Sequence, residues 1–263
     1  MKTLKTLSGL LSASALAIGL VAAAMPASAG IVGSLHDMPG QNTSAVAGTD
    51  QICVFCHTPH GSNTDVQAPI WNKALPAGAS YTAYTSSTMD GVASVGSVSL
   101  ACLSCHDGTQ ARDNMINQPG TGGYVAAGAG GSGGGSDLGT LGDMSGFGVA
   151  NLSQDLSNDH PIGMAYCGAT TEANALSGTC ADDSFNSSGT VSVKGTLTTR
   201  VWLDTEGNGT YSKTDFPLYG NNQPGVNVEC ATCHDPHTPE NGTFLRRVGG
   251  NSGSGVCLTC HNK

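Results

Sequence analysis

One short pattern, Cys-x-x-Cys-His, occurs four times in this chain of 263 residues. We name the copies motif 1 (Cys53–His57), motif 2 (Cys102–His106), motif 3 (Cys230–His234) and motif 4 (Cys257–His261). In such a pattern two thiols bond to the vinyl groups of a c-type haem, and the adjacent His ligates the iron. One copy alone could be a redox cysteine pair or half of a zinc site. Four copies, each with His directly after the second Cys, predict four covalent haems.

The residues that would hold these haems follow directly from the pattern. The covalent attachments are Cys53, Cys56, Cys102, Cys105, Cys230, Cys233, Cys257 and Cys260, and the proximal iron ligands are His57, His106, His234 and His261.

The histidine count predicts what the irons do. The chain has eight His, so four remain besides the proximal ligands: His36, His60, His160 and His237. We predict that these are the distal ligands, because they number one per iron, whereas no Met recurs beside the motifs as a competing ligand. An iron with two His ligands is closed to substrates and passes electrons. We therefore expect no catalytic residue and no enzymatic activity.

The spacing of two spare histidines limits which iron each can reach. Only two residues separate His60 from His57, which is too short for His60 to reach the opposite face of the haem whose iron His57 ligates. His237 is equally close to His234 and cannot reach the opposite face of the haem of motif 3. We predict that His60 serves the iron of motif 2 and that His237 serves the iron of motif 4. His36 and His160 would then serve motifs 1 and 3, in an order that stays open.

The motifs divide the chain into paired modules within one domain, residues 30–263. Motifs 1 and 2 form the module 53–106, and motifs 3 and 4 form the module 230–261, joined by a middle segment, 107–229. Part of that segment, 120–148, is rich in Gly and Ser and is expected to be a flexible surface loop.

The first 29 residues have the features of a signal peptide. A charged start with Lys2 and Lys5 precedes an apolar run and the small-residue sequence Ala27-Ser28-Ala29. We expect cleavage before Gly30, no membrane span after cleavage, and an extracellular, cell-surface or periplasmic location.

Export also bears on the two cysteines outside the motifs. Cys167 and Cys180 are expected to form a disulfide in an oxidising compartment. Two free thiols are the alternative.

Composition predicts an irregular fold. Only 38% of residues are apolar and 5% are aromatic, while 38 are Gly, which is little for an ordinary hydrophobic core. We therefore predict a multihaem cytochrome c fold, mostly irregular coil wrapped around four haems, with few short helices and a small β-hairpin. The helices are expected at the motifs and near Leu152–Leu156, and the hairpin over 190–203 with a turn at Gly207–Gly209. The net charge of −9 makes nucleic acid and anionic membranes poor partners.

A second metal site is a weaker interpretation. Asp204, Glu206, Asn208, Gly209 and Asp215 fall at positions 1, 3, 5, 6 and 12 of an EF-hand-like calcium loop. Glu at position 3, Asp at position 12 and strand-like flanks depart from that pattern. The alternative is a polar turn with Asn-Gly at its tip.

Several segments together resemble a known group of proteins. They are Gly33-Ser34-Leu35-His36-Asp37, Val54-Phe55-Cys56-His57-Thr58-Pro59-His60, Pro69-Ile70-Trp71-Asn72, Tyr84-Thr85-Ser86-Ser87-Thr88-Met89, Asp159-His160-Pro161-Ile162-Gly163 and Val256-Cys257-Leu258-Thr259-Cys260-His261. They resemble the paired Cys-x-x-Cys-His multihaem cytochromes, and among these the extracellular tetrahaem cytochromes of metal-reducing bacteria, the OmcE type. The resemblance implies a homopolymeric filament in which one iron takes a His from the neighbouring subunit. By its place on the N-terminal arm, His36 is the expected donor.

The expected function is therefore a secreted tetrahaem conduit for extracellular electron transfer, passing electrons to redox proteins or extracellular acceptors. A monomeric periplasmic shuttle is an alternative with the same chemistry. A reductase with one open haem, or a zinc-stabilised scaffold, would belong to a different class.

Overall fold

Short regular elements separated by irregular segments make up the chain. A computed structural model describes residues 30–41, 51–75, 81–117, 141–168, 180–186, 192–197, 200–220 and 226–262. The predicted signal peptide and most of the predicted Gly-rich loop lie outside these residues. The part from Ile31 onward clusters as one compact unit. In the described residues no helix is long and apolar enough to cross a membrane.

Helical turns coincide with the motifs, as predicted. The α-helices are α1 (Met38–Gln41), α2 (Ser97–His106), α3 (Cys230–Cys233) and α4 (Cys257–Cys260), and the 3-10 turns are Ile52–Phe55, Gly148–Ala150, Tyr166–Gly168, Pro239–Asn241 and Ser252–Ser254. One helical turn places the two cysteines of a motif, three residues apart, on the same side of the helix. The helix that carries motif 2 is longer than predicted, with ten residues.

The predicted hairpin is part of a larger sheet. Strands β2 (Ser192–Leu197), β3 (Arg200–Asp204) and β4 (Phe216–Leu218) form an antiparallel sheet in the order β2-β3-β4. Residues 190, 191, 198 and 199 of the predicted hairpin lie outside the described residues. The turn at Gly207–Gly209 connects β3 to β4 and not the first two strands. Strands β1 (Met164–Ala165) and β5 (Asn227–Val228) form a second antiparallel pair, which was not predicted.

The helix predicted near Leu152–Leu156 is wrong. Side chains there bind the backbone two residues ahead: Asn151 accepts from the Ser153 N–H at 3.2 Å, and Ser153 Oγ accepts from the Asp155 N–H at 3.2 Å. These local bonds compete with the helical hydrogen-bond pattern. Ser153 also has a positive φ of 60°, which ends any helix at that point.

Two hydrophobic clusters position the motifs. The larger one contains Tyr166, Cys167, Val201, Leu203, Phe216, Leu218, Val226 and Val228, and Cys233 and Cys260 pack against it. The smaller one contains Met38, Phe55, Met115 and Leu141, with Cys56 packed against it. The sheet thus supports motifs 3 and 4, and the segment around α1 supports motif 1.

Cys167 and Cys180 form a disulfide, the pair that the sequence predicts. Cys167 is fully buried in the larger cluster, so the bond fixes a loop end to the core behind motifs 3 and 4.

Candidate haem-binding site

The proximal histidines of three motifs share one hydrogen-bonding arrangement. Nδ1 of His57, His106 and His234 lies 2.8, 2.7 and 2.7 Å from the carbonyl oxygens of Pro69, Ala150 and Thr243, respectively. A carbonyl oxygen only accepts, so each Nδ1 carries the hydrogen and each Nε2 presents its lone pair. Such a partner fixes ring orientation in metal-ligating histidines. These three side chains therefore fit the role of iron ligands.

The motif cysteines also fit covalent attachment. All eight are free of disulfides. Burial raises the pKa of Cys56 to about 12 and that of Cys233 to about 11, so both thiols are neutral at pH 7. Neutral sulfur suits a thioether at an apolar haem edge. Among the described residues no group of three or more His, Cys, Asp or Glu is arranged to hold a metal ion, so nothing here supports the zinc alternative.

Cysteines of consecutive motifs lie close together in the structure. Burial raises the pKa of Cys56 in motif 1, and the nearby Cys105 thiol of motif 2 raises it further. A hydrogen bond to Cys230 in motif 3 raises the pKa of Cys102 in motif 2. Burial raises the pKa of Cys260 in motif 4, and the nearby Cys233 thiol of motif 3 raises it further. Motif 2 therefore lies beside motifs 1 and 3, and motif 4 lies beside motif 3.

The first proximal histidine faces a spare one. The ring centroids of His57 and His237 are 6.1 Å apart, and their planes differ by 17°. Two imidazoles on opposite sides of one iron have centroids about 6 Å apart, from two Fe–N bonds of about 2 Å and about 1 Å from nitrogen to ring centre on each side. The spacing fits a pair of axial ligands for the iron of motif 1.

The second pair is His36 with His106. Their centroids are also 6.1 Å apart, with an interplanar angle of 81°, and the His36 ring stacks on Phe244 at 4.3 Å. Burial and the nearby His106 lower the pKa of His36 to about 4, so its imidazole is neutral at pH 7. Its Nδ1 is buried without a hydrogen-bond partner. A buried neutral imidazole with an unused nitrogen fits an iron ligand for motif 2.

The locations of two histidines differ from those expected from the sequence. His237 lies against motif 1 where the sequence assigned it to motif 4, and His36 lies against motif 2 where it was assigned to motif 1 or 3. The short spacing from His234 to His237 excludes only the iron of motif 3 for His237, and it carries no information on how the modules pack. His36 lies beside His106 and Phe244 of its own chain, and its expected contact with a neighbouring subunit stays a prediction.

The other two spare histidines share the exposure of His237. His60 and His160 are both exposed. His160 Nδ1 lies 2.9 Å from the carbonyl oxygen of Pro161, which again leaves Nε2 as the available nitrogen.

Asp235 contacts His237, and the sequence analysis did not single it out. Its carboxylate lies 3.3 Å from His237 Nδ1 and accepts the His237 backbone N–H at 3.0 Å. Burial opposes ionisation, but these bonds and the charge of Arg246 lower the pKa of Asp235 to about 2. A carboxylate on Nδ1 orients a metal-ligating histidine and raises its basicity. The signal in the sequence was the acid between His234, which ends motif 3, and His237, in Cys-His-Asp-Pro-His.

The proposed calcium loop gains no support. The Asp204 carboxylate accepts the N–H groups of Asn208 (3.2 Å) and Gly209 (2.7 Å), and the Asp215 carboxylate accepts those of Thr205 (2.9 Å) and Ser212 (2.7 Å). Glu206 accepts from the Asn208 side chain at 2.8 Å. In the described residues these acids do not form a metal-holding group. The loop is a hydrogen-bonded turn between β3 and β4.

Comparison with known proteins bears on the second module. A family model for the doubled CXXCH motif (Paired_CXXCH_1) matches residues 223–263, which contain motifs 3 and 4. The match supports a multihaem c-type cytochrome with covalently bound haem. A search of curated proteins found no match.

Proposed function

We propose that the chain holds four haems, one at each motif, and relays single electrons along them. The observation that carries this proposal is the pairing of His57 with His237 and of His106 with His36, at the spacing of two ligands on one iron. Haem c, when bound, supplies one-electron Fe(III)/Fe(II) chemistry. The chain's residues fix the positions and ligands of the groups and close the sites to substrates.

The ligand set follows from these pairs. His57 and His237 hold the iron of motif 1, and His106 and His36 hold that of motif 2. His60 and His160 remain for motifs 3 and 4. With two imidazoles at every iron, no position is open to a substrate, which distinguishes an electron carrier from a reductase.

The test is the haem content and spin state of the exported protein. Mass spectrometry should find four covalent haems, and replacing both cysteines of one motif by Ser should remove one. Electron paramagnetic resonance should find low-spin iron throughout. A high-spin signal or carbon monoxide binding in the unaltered protein would favour the reductase. A colourless protein containing zinc would favour the scaffold.

We further propose that the protein is secreted and that copies join into a filament. Resemblance to extracellular tetrahaem cytochromes supports this, and so does the exposure of His60 and His160, since an exposed imidazole can ligate an iron of a neighbouring chain. The donor across the contact would then be one of these two, in place of His36.

Microscopy of secreted protein tests the assembly. His60→Ala and His160→Ala are compared, each expected to leave one iron without a ligand. Loss of filaments in only one of them identifies the donor. Isolated monomers of the unaltered protein with four low-spin haems would support the periplasmic shuttle instead.

A further inference from the structure

A buried carboxylate lies where the two modules meet. Glu229 directly precedes motif 3 and is only 3% exposed. The Ser99 hydroxyl, on the helix of motif 2, donates to Glu229 Oε2. The same hydroxyl accepts the Cys230 N–H at 3.0 Å. One acid, one hydroxyl and one backbone amide thus connect α2 to α3.

The surrounding residues are shaped around this carboxylate. A Cβ on Gly96 would lie 2.1 Å from Glu229 Oε1, so no larger residue fits there while the carboxylate keeps its position. Gly96 has φ −85° and ψ 166°, which any residue can adopt. Glycine is therefore required here by the acid and not by the backbone. Glu229 and Thr232 also form a capping box at the start of α3.

The acid is adjacent to two haem attachment points. Cys230 is its neighbour in sequence, and the Cys230 thiol is hydrogen-bonded to that of Cys102. These two sulfurs belong to motifs 3 and 2. A charge on Glu229 is therefore close to both groups that would be bound there, in a buried setting where electrostatic effects are screened little.

We propose that Glu229 fastens motif 2 to motif 3 and that its negative charge lowers the reduction potentials of the two haems bound there. This inference rests on the proposed function. A negative charge stabilises the ferric state, which carries one more positive charge than the ferrous state, so reduction becomes less favourable beside an ionised Glu229.

The charge of Glu229 depends on pH near neutrality. Burial raises its pKa to about 7, although hydrogen bonds from Ser99 and the Gly96 backbone act in the opposite direction. The groups facing Glu229 from α2 and from the residue that precedes it are Ser99 and Gly96, and both are neutral. From α3 they are Thr232 and Cys230, and the Cys230 thiol no longer titrates once it is a thioether. Near pH 7, adding an electron to either site therefore favours uptake of one solvent proton by the carboxylate, giving the neutral acid.

Redox titration of the holoprotein at pH 6 and pH 9 tests the inference. Glu229→Gln removes the charge and keeps the shape, and Gly96→Ala keeps the charge but displaces the carboxylate. Glu240→Gln, an exposed acid of the same module, is the control. At pH 9 and fixed potential, Glu229→Gln should raise the reduced-to-oxidised ratio of two of the four haems about threefold or more. It should also abolish most of their change between pH 6 and pH 9.

Haem content and spin state are measured on every variant first. Four low-spin haems in Glu229→Gln with potentials equal to those of the unaltered protein at both pH values would overturn the inference and leave the proposed function intact. A matching shift in Glu240→Gln would also overturn it, since the effect would then be one of general charge. If Glu229→Gln does not fold, a potential shift in Gly96→Ala supports the inference, and its absence overturns it. A protein without haem would overturn the proposed function and this inference together.

Discussion

His237 lies nearly parallel to His57, with ring centroids 6.1 Å apart, although the two residues belong to different modules. The second module therefore supplies the residue that faces the first proximal ligand. Because Asp235 binds Nδ1 of His237, the ring is held with its other nitrogen available. The two modules are interlocked by side chains as well as by the helix contact at Glu229.

Replacing His237 should leave one iron with an open position. His237→Ala is expected to convert about one haem in four to a high-spin form that binds carbon monoxide, because no other imidazole faces His57 at this spacing in the described residues. Absorption and electron paramagnetic resonance spectra measure the change.

A second variant identifies which haem is affected. In a protein that lacks the haem of motif 1, through Cys53→Ser and Cys56→Ser, adding His237→Ala should create no further high-spin iron. If it still does, His237 serves another motif, such as motif 4 as the sequence predicted.

His36→Ala should affect motif 2 and should do so in the monomer. Its ring is packed on Phe244 and faces His106, so the loss of a ligand needs no neighbouring chain. We expect one high-spin iron at every protein concentration, measured by spectra on diluted and concentrated samples. A defect that appears only in the assembled protein would restore His36 as a ligand between subunits.

The motifs could be predicted from the sequence because each is a local pattern that one helical turn can satisfy. The pairs of histidines could not be predicted, because the approach of His237 to His57 depends on packing between segments that are far apart in the sequence. No local pattern links these segments. The third strand, Phe216–Leu218, was missed since Pro217 argues against a strand. Its place at the edge of the sheet explains how proline is tolerated there.

Glu229 shows a further limit of sequence reasoning. A Glu directly before a helical turn looks like an ordinary capping residue, and it does form a capping box. Its contact with Ser99, 130 positions away in the sequence, is what makes it a junction between the motifs.

Asp235→Asn should weaken the hold of His237 on its iron. The Asn oxygen can still accept the His237 backbone N–H, but the negative charge that increases the basicity of the imidazole is lost. Loss of such an outer partner typically costs 10- to 100-fold in metal affinity, so we expect exogenous imidazole or cyanide to displace His237 at roughly 10- to 100-fold lower concentration. Spectral titration measures this, with the exposed Asp65→Asn as control. Equal titrations for Asp235→Asn and the control would contradict the role given to Asp235.

Removing the disulfide should lower stability without changing the haems. Cys167 and Cys180 are 13 residues apart, and a bond closing a loop of this size typically contributes about 3 kcal/mol. We expect the double variant Cys167→Ala, Cys180→Ala to lose about that much free energy of unfolding in urea. Its spin state and potentials should match those of the unaltered protein. Loss of a haem at motif 3 or 4 would instead show that the larger cluster requires the bond to hold these motifs.

Glu229 should make stability fall as pH rises. Its pKa in the folded protein is about 7, above the ordinary value of 4.5, because burial disfavours the ion. Between these values the folded state holds a proton that the unfolded state has lost, so the contribution is complete below pH 4.5 and declines as pH rises through 7. Above pH 7 the loss approaches about 3 kcal/mol.

Urea unfolding of the holoprotein from pH 4 to pH 9 gives the free energy of unfolding, and the difference between the unaltered protein and Glu229→Gln isolates this residue from the other titrating groups. That difference should change steadily across the window, with the unaltered protein losing stability relative to the variant as pH increases. A constant difference would mean that the carboxyl group titrates alike in both states, with a pKa in the folded protein near its ordinary value of 4.5.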